Sequence, residues 1–249
     1  MTNSEIKKCN ILGVNIAAIN MSTLIKYVRD NLKGLSGKYM CVTNVHTVIT
    51  AYDDENYMNV QNSSALSIPD GGPLSSYGRK HGFKDMDRTT GPDFFYEILK
   101  ISEENNYKHY FYGSTEETLE KLKEKLLSEF PKLKIAGMYS PPFRKLTEIE
   151  DEDVIKKINS ADSDFVWVGL GAPKQEIWMY EHKDKVKGFM VGIGAAFDYF
   201  AGNIKRAPMW MQKHNLEWLY RLMQDPVRLF TRYLYTNSKF LFLTKLVNK

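Results

Sequence analysis

The sequence predicts an α/β fold, a Rossmann-like, mainly parallel sheet flanked by helices and followed by a basic amphipathic C-terminal helical appendage. Three observations predict it. Short apolar runs alternate with helix-like segments along most of the chain, as parallel β-α-β units under right-handed crossovers do. Two of these runs, Phe165–Val168 and Phe189–Ile193, are apolar throughout and are followed closely by glycine. Strands buried on both faces read this way, with ligands expected beyond their carboxyl ends. The charge is also uneven. The net charge is +4, but residues 206–249 hold eight Lys/Arg against two Asp/Glu, which leaves the first 205 residues at −2.

Each element can be justified in order. Residues 1–21 contain an apolar patch from Ile11 to Ile19 that Asn15 interrupts, and no small-residue cleavage site follows, so the stretch is not read as a leader. Lys38–Val42 is a short strand closed by Thr43-Asn44, a turn or helix cap. Tyr107–Tyr112 is a strand that ends at Gly113-Ser114-Thr115-Glu116-Glu117. There a hydroxyl cap begins a helix rich in Leu, Lys and Glu, running to about Phe130. Leu133–Met138 is the next strand, broken off by Pro141-Pro142, and Thr147–Asn159 reads as a helix with an acidic first turn. Phe165–Val168 and Phe189–Ile193 complete the sheet.

The chain of 249 residues suits one large domain with an appendage. The main α/β body is expected over 1–202 and the appendage over 203–249. Asp225-Pro226 starts a helix, with Asp as cap and Pro in the first position. Beyond it Val227, Phe230, Leu234 and Leu241 recur at helical spacing, with Arg228, Arg232 and Lys239 on another face. Such a helix reads equally as one lying in a membrane interface or as a terminal helix docked on its own domain. No run reaches the ~18–20 apolar residues of a spanning helix. The two cysteines, Cys9 and Cys41, form no disulfide framework or metal spacing, which points to a reducing cytoplasm.

Several residues can carry chemistry. Asp70 in Ile68-Pro-Asp-Gly-Gly-Pro73 stands where Pro fixes the approach and two glycines let a ligand near the backbone. A carboxylate there can act as general base, although Pro-Asp-Gly is also an ordinary turn sequence. Arg79, Arg88 and the tail arginines suit a diphosphate, because guanidinium forks match phosphate oxygens. Gln175 and Glu176 follow Gly-Ala-Pro at a helix start, where free amides favour anions and where Glu176 also complements the helix dipole. Asp198 follows Gly192-Ile-Gly194, half of a dinucleotide fingerprint without its third glycine. Asp162-Ser-Asp164 precedes a strand rather than following it, and is read as a solvated loop. The five histidines show no ligand spacing; neither a metal nor a cofactor is expected.

Together these pieces resemble the WecG/TagA/CpsF glycosyltransferases of bacterial cell-surface polymer synthesis. The resemblance spans Ile11 to Tyr233. It is carried by Val42-Thr-Asn44, Pro69-Asp-Gly71, Asp87-Arg88 with Gly91-Pro-Asp93, Tyr112-Gly113 and Tyr139-Ser-Pro-Pro-Phe143. Further on it rests on Gly169-Leu-Gly-Ala-Pro-Lys-Gln-Glu176, Gly192-Ile-Gly-Ala-Ala-Phe-Asp198, Arg206-Ala-Pro208, Leu216-Glu-Trp-Leu-Tyr-Arg-Leu222 and Asp225-Pro-Val-Arg228.

The resemblance implies an inverting, metal-independent transfer of a sugar, often N-acetylmannosamine, from a UDP-sugar donor to a polyprenyl-diphosphate-linked sugar acceptor. It implies Asp70 as the base that takes the acceptor proton, with Asn44 and Gln175 lining the sugar-nucleotide pocket. Arg88, Arg221 and Arg228 would neutralise the departing UDP or the lipid diphosphate. Thr43, Glu176, Asp198 and Arg206 complete the expected substrate-binding set. Some members carry a hydroxyl residue two places before the pocket Asn, where this chain has Val42 with Thr43 adjacent. The resemblance also tips the tail towards the membrane: a cytoplasmic protein held peripherally on the inner face of the cell membrane by its C-terminal helix. Without a membrane, exposed tail aromatics could pair two copies of the chain.

Two other classes fare worse. Nucleic-acid binding needs a basic surface across the body, and residues 1–205 are net negative. An epimerase or dehydrogenase acting on a nucleotide sugar needs a nicotinamide site, against which the incomplete glycine fingerprint argues.

Overall fold

The computed structural model describes residues 6–247. Residues 1–5, part of the stretch not read as a leader, lie outside the described residues. An antiparallel hairpin comes first, β1 (Lys8–Ile11) with β2 (Val14–Ala17). Then follow α1 (Met21–Leu35), β3 (Tyr39–Thr43), α2 (Val45–Asp53), α3 (Glu55–Asn62), β4 (Leu66–Pro69), α4 (Gly72–Lys80) and α5 (Gly91–Asn105). The second half runs β5 (Lys108–Gly113), α6 (Glu116–Glu129), β6 (Lys134–Tyr139), α7 (Glu148–Ser160), β7 (Phe165–Gly169), α8 (Lys174–Glu181), β8 (Phe189–Gly192) and α9 (Ala196–Ala201). Three helices close the chain: α10 (Met209–Lys213), α11 (Glu217–Gln224) and α12 (Pro226–Val247).

Strands β3 to β8 form one parallel sheet in the order β4-β3-β8-β7-β5-β6. Successive strand residues point to opposite faces, and the two faces are buried in different cores. Met40 and Val42 of β3 join Leu24, Val28, Phe94 and Ile98. Tyr39 and Cys41 join Val154 and Ile158 of α7 and Trp178 and Met179 of α8. In β7, Phe165 and Trp167 take the first side, Val166 and Val168 the second. With both faces covered, no polar alternation is needed, and the strand reads as a continuous apolar run. A third core packs the hairpin through Ile11 and Ile16 against Val48, Val60 and Leu74, and it takes in Phe240 of α12.

Helix starts follow their caps. The Thr115 hydroxyl accepts the Thr118 amide at 3.1 Å ahead of α6, and Thr147 with Glu150 forms a capping box at α7. Asn44 caps α2: its Oδ1 accepts the Thr47 amide at 3.2 Å while Thr47 Oγ1 accepts the Asn44 amide at 2.9 Å.

The outward side of the C-terminal helix is apolar. Its outward stripe, Val227, Phe230, Leu234 and Leu241, is more than half exposed and apolar. Two of its cations are paired with carboxylates: Arg228 Nε donates to Asp225 Oδ2 at 2.5 Å, and Lys239 Nζ meets Asp53 Oδ1 at 2.5 Å, which ties α12 to α2. Leu229, Thr236, Phe240 and Thr244 form the buried side. Among the described residues no helix is long and apolar enough to cross a membrane.

Candidate active site

A cavity lies at the carboxyl ends of β3, β4 and β8, with α11 and α12 closing over it. Its sheet wall holds Val42 and Asn44, the turn Asp70–Pro73, the start of α5 at Thr90–Pro92, and Ile193, Ala195 and Ala196 after β8. Its helical wall holds Glu217, Trp218 and Arg221 of α11 with Arg232, Tyr233 and Asn237 of α12. The N-terminal ends of α2, α4 and α5 all reach it. Unpaired helix amides and the positive ends of three dipoles therefore meet in one place, which favours an anion.

Asp70 is placed by its backbone. Its amide donates to Thr43 O at 2.7 Å, and Gly71 turns at φ +119°, where a side chain would be strained. Burial pushes the Asp70 carboxyl up to about 6; Arg88 and Arg221 pull it down while Glu217 and Asp93 push it further up. At neutral pH it is mostly ionised yet more basic than a surface carboxylate, which suits proton abstraction.

The arginines fall into two kinds. Arg88 is paired with Glu217, and its Nη1 donates to Gln212 O at 3.3 Å. Arg206 donates to Asp93 Oδ1 at 2.5 Å and lies 3.5 Å from Glu217. These two fasten the C-terminal helices to the body. Arg221 and Arg232 line the cavity, and among the described residues neither has a carboxylate within ion-pair distance. The Arg221 guanidinium sits 6.0 Å from the centre of the Tyr199 ring. Burial and the neighbouring Arg228 and Arg221 charges lower Arg232 below the usual arginine range.

Two neutral groups in the same cavity also lack partners. Among the described residues, His46 Nδ1 and the Tyr199 hydroxyl are buried without a hydrogen bond, a rare condition unless a ligand supplies one. Burial, with Arg232 close by, brings His46 down to about 4, so its imidazole is neutral.

Of the residues expected from sequence, the structure brings Asn44, Asp70, Arg88 and Arg221 together around the cavity. The others lie outside its lining, each for a physical reason. Thr43 alternates to the face opposite Val42 and donates to Gln61 Oε1 at 3.0 Å, so Val42 lines the cavity and the Thr43 hydroxyl cannot stand in for a group there. Gln175 and Glu176 are buried beneath the strand ends, at the start of α8. Asp198 accepts from Asn203 Nδ2 at 3.3 Å, Arg206 is held by Asp93, and Arg228 is exposed and held by Asp225.

Sequence reasoning did not single out His46, Tyr199 or Glu217 for the site, and it counted Arg232 only among the tail arginines that suit a diphosphate. For Arg232 a signal existed: Arg228 and Arg232 are one turn apart, and only Arg228 has an acid three residues before it. Asp162 and Asp164 lie at the opposite end of the sheet, where Lys108 meets Asp162 at 2.7 Å and its amide donates to Asp164 at 2.8 Å. Among the described residues no three His, Cys, Asp or Glu side chains are grouped as a metal ion would need.

A sequence model of the glycosyl transferase WecG/TagA/CpsF family matches residues 9–249. An N-acetylglucosaminyldiphosphoundecaprenol N-acetyl-beta-D-mannosaminyltransferase of Bacillus subtilis (strain 168) is 32% identical over 212 residues, 84% of this chain and 80% of that protein. An enzyme of the same name from Staphylococcus aureus (strain MW2) is 28% identical over 225 residues, 89% of this chain and 87% of its own.

Proposed function

Because this chain belongs to the WecG/TagA/CpsF family of glycosyl transferases, we propose that it moves N-acetylmannosamine or a related sugar from a UDP-sugar to a sugar carried on a polyprenyl diphosphate. The observation that carries this reading is the meeting, in one cavity, of a base-strength carboxylate, two unpaired arginines and three helix N-termini. Ionised Asp70 accepts the proton of the acceptor hydroxyl as that oxygen attacks the anomeric carbon. The bond to the UDP oxygen breaks, UDP leaves with the electron pair, and the single displacement inverts the centre. Charge growing on the diphosphate is met by Arg221, Arg232 and the helix amides, so fixed cations supply what a metal ion would otherwise supply. Asn44 spends its Oδ1 on the α2 cap, which leaves its amide NH₂ for the donor.

Residues 203–249 act as an appendage that completes the site. Their outward apolar stripe rests on the membrane and brings the lipid-borne acceptor to the cavity mouth. The cytoplasmic face is the one consistent with two free, buried cysteines.

The test is to incubate the protein with UDP-N-acetylmannosamine and a lipid-diphosphate-linked N-acetylglucosamine in EDTA, following UDP release and lipid mass. A disaccharide-lipid is expected. Product only after a divalent ion is restored would overturn the metal-free mechanism. UDP binding with no product would move the donor or acceptor assignment, and no UDP binding would sink the reading.

A further inference from the structure

Thr43, Gln175 and Glu176 belong to the motifs that mark the site in sequence, yet they lie outside the cavity and are almost completely buried. They are joined in one hydrogen-bonded chain. Thr43 Oγ1 donates to Gln61 Oε1 at 3.0 Å, Gln61 Nε2 to the Tyr57 hydroxyl at 2.9 Å, and the Tyr57 hydroxyl to Glu176 Oε2 at 3.2 Å. From the other side Gln175 Nε2 donates to Glu176 Oε1 at 2.7 Å. Gln175 cannot turn over, because its Oε1 already accepts the amides of Gly171 at 3.2 Å and Gly194 at 3.1 Å. Both branches therefore end on the Glu176 carboxyl, the shared acceptor.

The outer ends of this chain are the cavity floor. Thr43 closes β3 directly before Asn44. Gly194 lies in the turn after β8, immediately before the lining residues Ala195 and Ala196. Helix α8 sits so near β8 that a Cβ at Gly192 would lie 2.7 Å from Met179 Cε and 3.1 Å from Gln175 Nε2. The branches thus have little room to rearrange independently.

We propose that Glu176 is a positioning residue for this site: its two carboxyl oxygens hold the Asn44 end of β3 and the Gly194 turn after β8 in one fixed relation. The proposal rests on the reading that the cavity takes the sugar nucleotide. The carboxyl faces Gln175 on its own helix, Tyr57 on α3 and Cys41 on β3, and no cation among the described groups contributes to its titration. Burial pushes it up to about 7, while hydrogen bonds from Gln175, its own amide and Tyr57 pull it down. Protonation turns one acceptor oxygen into a donor, so one branch must reverse as pH falls through that range. The Tyr57 branch reverses, since Gln175 is pinned by two glycine amides.

The experiment compares wild type with Glu176→Leu, Glu176→Gln and Tyr57→Phe. Amide hydrogen exchange at Gly171 and Gly194 is read first, without substrate. Then kcat and donor KM are measured between about pH 5 and about pH 9. In Glu176→Leu, exchange at both glycines should quicken at least about tenfold against the rest of the sheet, and donor KM should rise about ten- to a hundredfold. Glu176→Gln should restore slow exchange, yet lose the rate limb near 7 while keeping the Asp70 limb near 6.

Glu176→Leu with exchange, KM and pH profile all within about twofold of wild type would overturn the proposal. If Glu176→Leu does not fold, Glu176→Gln and Tyr57→Phe decide it on the same readouts. If wild type neither binds UDP nor turns over, the functional reading has failed, and the exchange data alone still decide whether Glu176 ties the two strand ends.

Discussion

The sheet wall of the cavity and its helical wall differ in what holds their side chains. Asn44 and Asp70 stand on turns fixed from several directions: a capping pair at α2, a 2.7 Å backbone bond from Asp70 to β3, and a glycine turn beyond it. Arg221 and Arg232 stand on helices fastened by Arg88–Glu217, Arg206–Asp93 and Lys239–Asp53, and are themselves uncommitted. The proposed base and its neighbour Asn44 sit where the backbone is over-determined. The arginines proposed to meet the diphosphate sit on a wall attached by ion pairs. Within the helical wall, paired arginines build the site and unpaired ones are left for the ligand.

That contrast is broken most sharply at Asp70. Asp70→Asn should lower kcat about 10²- to 10⁴-fold while calorimetric UDP affinity stays within a few-fold. Loss of UDP binding in parallel would mean that the carboxylate organises the site rather than acting as base. Next come Arg221→Ala and Arg232→Ala. Each should cost about 10²- to 10³-fold in kcat/KM through lost stabilisation of the leaving diphosphate, with unfolding midpoints nearly unchanged. Arg88→Ala should instead lower stability as well, because it leaves the largely buried Glu217 with the longer 3.5 Å contact to Arg206 in place of its close pair.

A smaller effect separates the walls by pH. The Asp70 carboxyl rises from 3.8 to about 6 on folding, so the folded protein binds its proton more tightly than the unfolded chain does. Its stabilising contribution is complete below pH 3.8 and is lost as pH rises through about 6. Asn cannot ionise. The stability of Asp70→Asn relative to wild type should therefore grow by about 1–3 kcal/mol between these two values and level off above them. Urea unfolding at a series of pH values checks this; a pH-independent difference would mean the carboxyl titrates alike in both states. The unpaired arginines should show no such window.

The two walls were also unequally legible in the sequence. Strands β3, β5, β6, β7 and β8 and helix α7 fall within one residue of their expected bounds, because each is either apolar on both faces or opened by a capping residue. The hairpin β1–β2 and strand β4 were not read, since Asn10, Asn15 and Ser67 interrupt these short strands and no continuous apolar run stands out. At the site, Asn44 and Asp70 were legible because turn chemistry is local. Thr43 was misplaced because adjacent strand residues point apart, and that geometry overrides nearness in sequence. Gln175 and Glu176 gave a motif without a direction, since a helix start can aim its side chains at a ligand or into the core. In the tail, spacing identified a helix but not which arginine its docking would bury, because docking is set by Phe240 and Asp53 contacts that lie far away along the chain.

The finest test of the helical wall is Arg228→Ala. Arg228 lies in the first turn of α12, its side chain 61% exposed and paired with Asp225 at 2.5 Å. An exposed pair of this kind contributes at most about 1 kcal/mol, and Asp225 keeps a cap without it, because its Oδ1 also accepts the residue-228 amide at 3.3 Å. Removing the guanidinium also removes one of the like charges that lower Arg232, which relieves the cavity arginine rather than weakening it. Stability should therefore drop by less than about 1 kcal/mol, and kcat/KM should stay within about twofold of wild type. Should Arg228→Ala cost as much activity as Arg232→Ala, α12 must turn in solution to present both arginines to the ligand. The division of this wall into paired, structural arginines and unpaired, ligand-facing ones would then fail at the residue where it is easiest to measure.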